Sequence, residues 1–410
     1  MIAYNTQLLK NISILKKTKQ WFGQKLLSDE QFKQAYKTYN TPFYNPNIFI
    51  KIGLFLFTCF AISSSVGFCY LFYFSSGSHY NDEQLFSIVI NFVFSIACIF
   101  VLEKLIKAKL LFRSGVDEAL LYSAIIFLIV TLYMIFSINK YAHYNGYETT
   151  DNTTLWIAII IFPFLIAASM RYIDRLVTIF TVIVFYSICF LLFIKTGDIA
   201  KLVMPFLFMI ISAVLYFFVK KYQKNDRFIK WKNLLQTVEL TTMIVFYLSC
   251  NYFVIREASV TFFNMEITHA NDVPLAFLFY ILTALVPIVY IYSGLKTKNK
   301  LHLLAGLILL TASAVTFKYY FSMGHPEITL TLAGIVMVVV AYVSIRYLKT
   351  DKFGITYKEE FDEDNFLKSN AEALVLMQSF ATATSPSQPT IDNEKFGGGE
   401  FGGAGSGGNF

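Results

Sequence analysis

Glu239 is the acidic side chain that lies deepest within an apolar segment of the sequence, and acids in such places often do ion or proton chemistry. It stands about one helical turn inside the segment 235–255, close to Lys232. An ionisable group inside a membrane is costly and commonly marks a pathway for ions or protons. A lysine at the membrane surface can also extend its side chain to pair with an acid one turn deeper. The sequence favours an interfacial ion pair near Lys232, and a proton or cation role for Glu239 stays open.

A group of small residues in the middle of the first apolar segment is a second candidate site, and it comprises Ser63, Ser64, Ser65 and Gly67. Ser63 and Gly67 have the small-xxx-small spacing that lets another helix approach closely. The alternative is a broken helix that binds substrate, as in transporters built from inverted five-helix repeats. A matching break is then needed in the sixth segment, but Pro205 lies near the start of that segment and not in its middle. The sequence therefore favours helix packing.

Histidines in outer-side loops are the weak candidates for a metal site, namely His79, His143, His269 and His325. Histidine and carboxylate together are ligands that suit divalent transition metals, and Asp82, Glu83 and Glu327 fall on the same side. No two of these histidines are one helical turn apart, which is the usual ligand spacing. The sequence therefore favours ordinary polar loops and no cofactor. The fifth histidine, His302, opens the ninth segment and is predicted to cap it against lipid headgroups.

Catalytic motifs are missing from the sequence. It has no phosphate-binding Gly-x-x-x-x-Gly-Lys-Ser/Thr loop, no Gly-x-Ser-x-Gly turn and no His-Glu-x-x-His helix. All five cysteines lie in apolar segments without Cys-x-x-Cys spacing, so neither a zinc site nor a redox pair is indicated. The sequence nominates no catalytic residue, which leaves an enzyme as the less favoured interpretation.

The elements that position these residues are apolar segments of membrane-spanning length. The chain has 410 residues, of which only 15% are charged, whereas soluble domains are nearer a quarter charged. A spanning helix needs about 20 mostly apolar residues. The sequence predicts spans at 48–74, 85–102, 119–138, 155–170, 176–194, 202–219, 235–255, 275–295, 301–317 and 328–348.

The stretch Lys220–Lys232 orients these spans. It holds six basic side chains against one acid, Asp226, and basic loops between spans stay on the cytoplasmic side. With this loop inside, lysine and arginine concentrate in alternate loops along the chain. The sequence therefore predicts an all-α polytopic membrane bundle of ten helices with both termini cytoplasmic. The same asymmetry explains the net charge of +7 without a nucleic-acid partner.

The two ends of the chain differ from the bundle. Residues 1–47 are predicted to be a cytosolic amphipathic helical segment, in which Ser28–Gln31 has the pattern of a capping box. Residues 349–384 are acidic with one short helix. Residues 385–410 form a Gly/Phe-rich tail, which is predicted to be disordered because glycine-rich chains bury too little surface. Its phenylalanines are candidates for binding a partner, the alternative being a flexible terminus without a specific role: Phe396, Phe401 and Phe410.

Three short stretches near the start of the chain carry a resemblance to known families: Leu26–Gln31, Tyr44–Asn47 and Lys51–Leu54. The order of these parts resembles uncharacterised polytopic membrane proteins of bacteria, which are classified as domains of unknown function. The resemblance implies a location in the bacterial inner membrane and brings no activity with it.

Two functions are consistent with these patterns. The missing intramembrane charges, the modest loops and the two cytosolic ends favour a non-enzymatic subunit or scaffold of a membrane assembly. Its partners would be membrane lipids together with proteins in the membrane or at the cytosolic face. The alternative is a transporter or flippase of a lipid or small amphipathic solute, with the first and sixth helices at its centre.

Overall fold

The computed structural model describes residues 2–23, 26–44, 46–75, 80–142, 152–263, 265, 272–297, 299–320, 342 and 346. Across these residues the protein is all-α, as the sequence predicts, and the only β contact among them is an isolated bridge between Tyr44 and Leu111. The predicted span 328–348 and the segments 349–384 and 385–410 lie outside the described residues, apart from the two isolated positions 342 and 346.

Twelve α-helices are described, in the following order. They are α1 (Thr6–Gly23), α2 (Asp29–Thr38), α3 (Ile48–Ser75), α4 (Tyr80–Lys109), α5 (Val116–Ala142), α6 (Thr153–Tyr172), α7 (Arg175–Phe193), α8 (Asp198–Gln223), α9 (Lys232–Cys250), α10 (Tyr252–Phe263), α11 (Ala276–Thr297) and α12 (Lys300–Tyr320). The capping box that opens α2 is present as predicted, since Ser28 and Gln31 each bond the backbone of the other.

The helices make this a multi-pass membrane protein. Within the described part of the chain, eight helices are long and apolar enough to cross a bilayer, and α9 with α10 forms a bent pair that counts as a ninth span. Helices α3, α7 and α12 match the predicted spans to within a few residues. Helix α4 is longer than predicted and continues through Lys104 and Lys107 to Lys109, because helical hydrogen bonding does not stop where the apolar sequence stops.

The predicted span 235–255 is wrong as a single helix. The chain breaks at Asn251, and α9 and α10 meet at an angle of 73°. Groups freed by a break at membrane depth must find partners within the protein. Here the Asn251 amide donates to the Tyr247 hydroxyl at 2.8 Å and to the Thr316 hydroxyl at 3.0 Å, and the backbone N–H of Tyr252 donates to Thr283 at 3.0 Å.

The inner core consists of clusters between neighbouring helices. The largest lies among α4, α5, α6 and α7, where Leu102, Leu121 and Leu165 are buried. A second lies among α9, α11 and α12 around Tyr247, Val286 and Leu309. Helix α3 packs on α5 but buries none of its own residues, so most of its surface faces outward.

Basic residues gather at one end of the bundle. The Arg171 guanidinium at the end of α6 donates to Glu103 near the end of α4 at 2.7 Å. The Trp231 indole N–H donates to the carbonyl of Met170 at 3.0 Å, which ties the stretch Lys220–Lys232 to α6. We call this end, which carries Lys104, Lys107, Lys109, Arg171, Arg175, Lys220 and Lys221, the basic end. The loop charges predict that it faces the cytoplasm.

Candidate functional site

Glu239 lies at the centre of a polar cluster formed by three helices near the basic end. Its side chain is 1% exposed, two turns into α9. One carboxylate oxygen, Oε1, accepts from Lys220 Nζ at 2.5 Å and pairs with His302 Nε2 at 2.7 Å. The other oxygen, Oε2, accepts from Gln223 Nε2 at 2.7 Å. Both oxygens of this buried acid are therefore satisfied, by partners from α8 and α12.

His302 connects the acid to the next helix along. Its side chain is 4% exposed. The residue lies in the first turn of α12, which begins at Lys300. A carboxylate oxygen only accepts, so Nε2 carries the proton that is shared with Glu239. Nδ1 lies 3.2 Å from the Ser293 hydroxyl of α11, which can donate to a neutral imidazole or accept from a charged one. The site therefore accommodates both charge states of the histidine.

The charges of the cluster are balanced without His302. The Glu239 carboxylate and the Lys220 ammonium offset each other, and a second proton on the imidazole then adds one positive charge. Histidine is the side chain that changes charge most readily between pH 5 and 8. The other groups that face it are the Tyr216 hydroxyl, 3.4 Å from Nε2, and Ser293. Lys220 is 28% exposed, so the cluster extends from the bundle interior to the basic end.

Two glycines hold α11 and α12 close enough to place His302. A Cβ at Gly294 would lie 2.6 Å from the backbone nitrogen of Leu303, the residue after His302. A Cβ at Gly306 would lie 2.8 Å from the backbone nitrogen of Ile291. Real side chains do not tolerate such distances, so the two helices approach backbone to backbone. The position of His302 depends on this close contact.

A second polar cluster lies where the start of α5 meets the N-terminal segment. Asp117 accepts from the backbone N–H groups of Arg113 and Ser114, each at 2.8 Å, and from the Tyr4 hydroxyl at 3.3 Å. Burial, and then the Asp117 carboxylate, raise the pKa of the Tyr4 phenol well above its usual value. Nearby, Lys51 pairs with Glu118 at 2.7 Å. These groups join the N-terminal segment and α3 to α5.

The structure corrects two interpretations of the cluster. The lysine that pairs with Glu239 is Lys220 of α8, whereas the sequence favoured the neighbourhood of Lys232. His302 does not cap its helix against lipid headgroups, because it is buried against Glu239. These two residues are 63 positions apart, and local pattern alone does not join them. The sequence did contain one indication that they could meet. Both are ionisable groups in apolar helices, and the loop charges place both near the same end of the bundle.

The small residues of the first span stand apart from this cluster. Helix α3 runs unbroken through them, so the break that a substrate-binding helix needs lies in the bent pair α9–α10 and not here. Four of these residues are the proposed packing or substrate candidates, and all of them are exposed: Ser63, Ser64, Ser65 and Gly67. A Cβ at Gly67 would meet nothing within 4 Å. Their role in packing against another helix stays a prediction.

The remaining candidates lie outside the described residues. These are His79, His143, His269 and His325 for a metal, and Phe396, Phe401 and Phe410 for a partner. Within the described part of the chain, no group of three or more histidine, cysteine or acidic side chains is placed to hold a metal ion.

Comparisons with known proteins give no relative for this chain: no family model, no curated protein and no solved structure matches it. The resemblance to bacterial polytopic membrane families stays a prediction.

Proposed function

We propose that the protein is a transporter or flippase of a lipid or small amphipathic solute, with the Glu239–His302 pair as the group that couples movement to proton binding. The observation that carries this proposal is the buried polar cluster of Glu239, His302, Lys220 and Gln223. Ionisable residues that face the interior of a membrane bundle commonly mark pathways or relays. The described residues thus favour the second of the two functions that the sequence left open.

Helix packing alone gives little reason for such a cluster. A buried ion pair loses so much hydration that apolar residues of similar volume often stabilise a protein equally well or better. The cluster also places a histidine beside an ion pair that is already neutral. A proton added to this histidine would leave the cluster with a net positive charge, and a coupling group requires such a change.

Protonation would alter the contacts among three helices. With a charged His302, Glu239 faces two cations. Its attraction to Lys220 of α8 then competes with its attraction to His302 of α12. If Glu239 itself takes the proton, Lys220 loses its counter-charge and is drawn toward water at the basic end. In either case, proton binding changes the contact that Lys220 of α8 makes with Glu239 of α9.

The bent pair α9–α10 supports the same proposal. Discontinuous helices form the substrate and ion sites of many transporters. Glu239 lies near the start of α9, and the break at Asn251 follows the last residue of the same helix. A change at Glu239 therefore acts on a helix whose far end meets α10 at a 73° break.

We further propose that the protein resides in the bacterial inner membrane with its basic end in the cytoplasm. The positive-inside rule and the resemblance of the N-terminal stretches support this. The role of a non-enzymatic scaffold stays a prediction, and a protein partner that copurifies in stoichiometric amount would support it.

Reconstitution tests the proposed function directly. The purified protein would be placed in liposomes that contain a phosphatidylethanolamine with a nitrobenzoxadiazole label, and dithionite added outside would bleach the outer-leaflet label. In parallel, efflux of the amphipathic dye rhodamine 6G would be followed. Wild type is expected to move at least one probe faster than protein-free liposomes, and Glu239→Gln is expected to abolish the gain. Movement of neither probe at pH 5.5 or 7.5 would contradict the proposal.

A further inference from the structure

A cleft of about 630 Å³ lies between α4, α5 and α6, away from the Glu239 cluster. This volume is in the range of sites that hold small organic ligands. Its walls are almost entirely apolar and include Ile99, Leu128, Ile161 and Leu165. Phe100 and Phe164 are exposed at its edges, so the cleft opens sideways, toward the lipid of a membrane.

The length of the cleft matches one leaflet of a bilayer. On α4 it extends from Ser95 to Lys107, and twelve residues of helix measure about 18 Å. Half of a typical hydrocarbon core is about 15 Å. A lipid chain that entered at the basic end would therefore be covered along the depth of its own leaflet.

The mouth of the cleft is positively charged. Lys104, Lys107 and Arg171 line it together with one acid, Glu103. The acid is already engaged, since it accepts from Arg171 at 2.7 Å and from the Tyr172 hydroxyl at 2.9 Å. Both lysines are exposed, and the Lys104 ammonium lies over the Phe100 ring at 4.5 Å from its centre. The mouth therefore carries a net positive charge beside an apolar slot.

We propose that this cleft binds one anionic phospholipid, with the phosphate at Lys104 and Lys107 and one acyl chain between α4, α5 and α6. Basic pockets between membrane helices recognise anionic headgroups in this way. A free phosphate ion would use the mouth alone, whereas the apolar walls extend through a whole leaflet. The proposal uses none of the residues around Glu239, so it holds whether the protein is a transporter or a scaffold.

Native mass spectrometry of the full-length protein tests the proposal. The protein would be purified in detergent and titrated with phosphatidylglycerol or with phosphatidylcholine of the same acyl chains. We expect one phosphatidylglycerol to bind with clear preference over phosphatidylcholine. The double variant Lys104→Gln/Lys107→Gln should lower phosphatidylglycerol affinity about 30-fold, which is roughly fivefold for each lysine near a membrane surface.

Two matched controls separate charge from shape. Lys109→Gln/Lys221→Gln removes the same charge from the basic end at exposed lysines that do not line the cleft, and it should bind as wild type. Ala167→Phe fills the cleft from an exposed position on α6 and should release the lipid, whereas Ala61→Phe on α3 should not.

Several results would overturn the proposal. The first is equal binding of the two lipids to wild type. The second is equal loss of phosphatidylglycerol binding in the two lysine double variants, which would indicate attraction to the whole basic end. The third is full binding by Ala167→Phe, or displacement of the lipid by excess inorganic phosphate, either of which would indicate a headgroup site without an acyl-chain slot.

Discussion

The carboxylate of Glu239 and the imidazole of His302 lie 2.7 Å apart, although 63 positions separate them in the chain. This contact joins α9 to α12, and Lys220 and Gln223 extend it to α8. Three helices of the bundle thus meet at one titratable pair. The proposed coupling function and the first prediction below both depend on this relationship.

The first prediction concerns the energetic coupling of this pair. In a double-mutant cycle of Glu239→Gln and His302→Gln, the free energies of unfolding should be non-additive by about 0.5–3 kcal/mol, because each change removes the same contact. Reversible unfolding in mixed detergent micelles measures these energies. As a control, Glu239→Gln combined with Asn91→Ala on α4 should be additive to within about 0.5 kcal/mol. Additivity in the Glu239–His302 cycle would show that the contact is energetically unimportant.

The second prediction concerns the close approach of α11 and α12. Gly294→Ala should destabilise the protein by about 1–3 kcal/mol, the usual cost of forcing extra volume into a packed site, because its Cβ would meet the backbone of Leu303. The same change should weaken the Glu239–His302 contact. Thermal unfolding in detergent measures the first effect, and the double-mutant cycle repeated in this background measures the second.

Gly67 supplies the matched control for that change. It is also a helical glycine, but a Cβ there meets nothing within 4 Å, so Gly67→Ala should be neutral or stabilising by up to about 1 kcal/mol. A loss of stability at Gly67 as large as that at Gly294 would contradict the role of the close approach between α11 and α12.

The third prediction concerns the break between α9 and α10. Thr316→Val removes a hydroxyl that accepts from the Asn251 amide and can donate its one proton either to the Asn251 oxygen or to the Ala312 carbonyl. The loss of stability should be about 1–3 kcal/mol, because a buried amide is left with an unsatisfied group. Thr311→Val on the same helix is the control: it is exposed and bonds only within its own helix, so its effect should stay within about 0.5 kcal/mol. Equal effects would mean that the contact between Thr316 and Asn251 does not stabilise the break.

The fourth prediction concerns pH and the Tyr4 phenol. Because burial and Asp117 raise the pKa of Tyr4 in the folded protein, the folded state holds this proton more tightly than the unfolded state. Its contribution is therefore complete below the ordinary tyrosine pKa of about 10 and is lost as the pH rises above that value. Wild type should lose stability more steeply above pH 10 than Tyr4→Phe, with exposed Tyr36→Phe as the control. Parallel curves for wild type and Tyr4→Phe would contradict this.

Much of the fold follows from the sequence, because apolar length and helix signals act locally. The capping box at Ser28 and the bounds of α3, α7 and α12 are of this kind. The break at Asn251 is different, since its partners Thr283 and Thr316 come from α11 and α12. A single asparagine in an apolar segment does not show whether hydroxyl groups from distant helices will form hydrogen bonds at the break.

The candidate site shows the same division. The sequence singled out Glu239 because an acid in an apolar helix stands out by itself. It placed His302 at the start of a helix, where contact with lipid headgroups is the ordinary expectation. The close packing at Gly294 and Gly306 instead brings the start of α12 against α9. Pairing across helices is decided by such contacts, which sequence pattern alone does not contain.

The pH dependence of probe movement tests the central claim most directly. In liposomes that contain the protein, the rate of lipid or dye movement would be measured from pH 5 to pH 8 for wild type, His302→Gln and the control Lys221→Gln. Because the proposal places proton coupling at this pair, the wild-type and Lys221→Gln rates should vary with pH while the His302→Gln rate stays flat. A His302→Gln profile that follows the wild-type curve would contradict the coupling role of the Glu239–His302 pair.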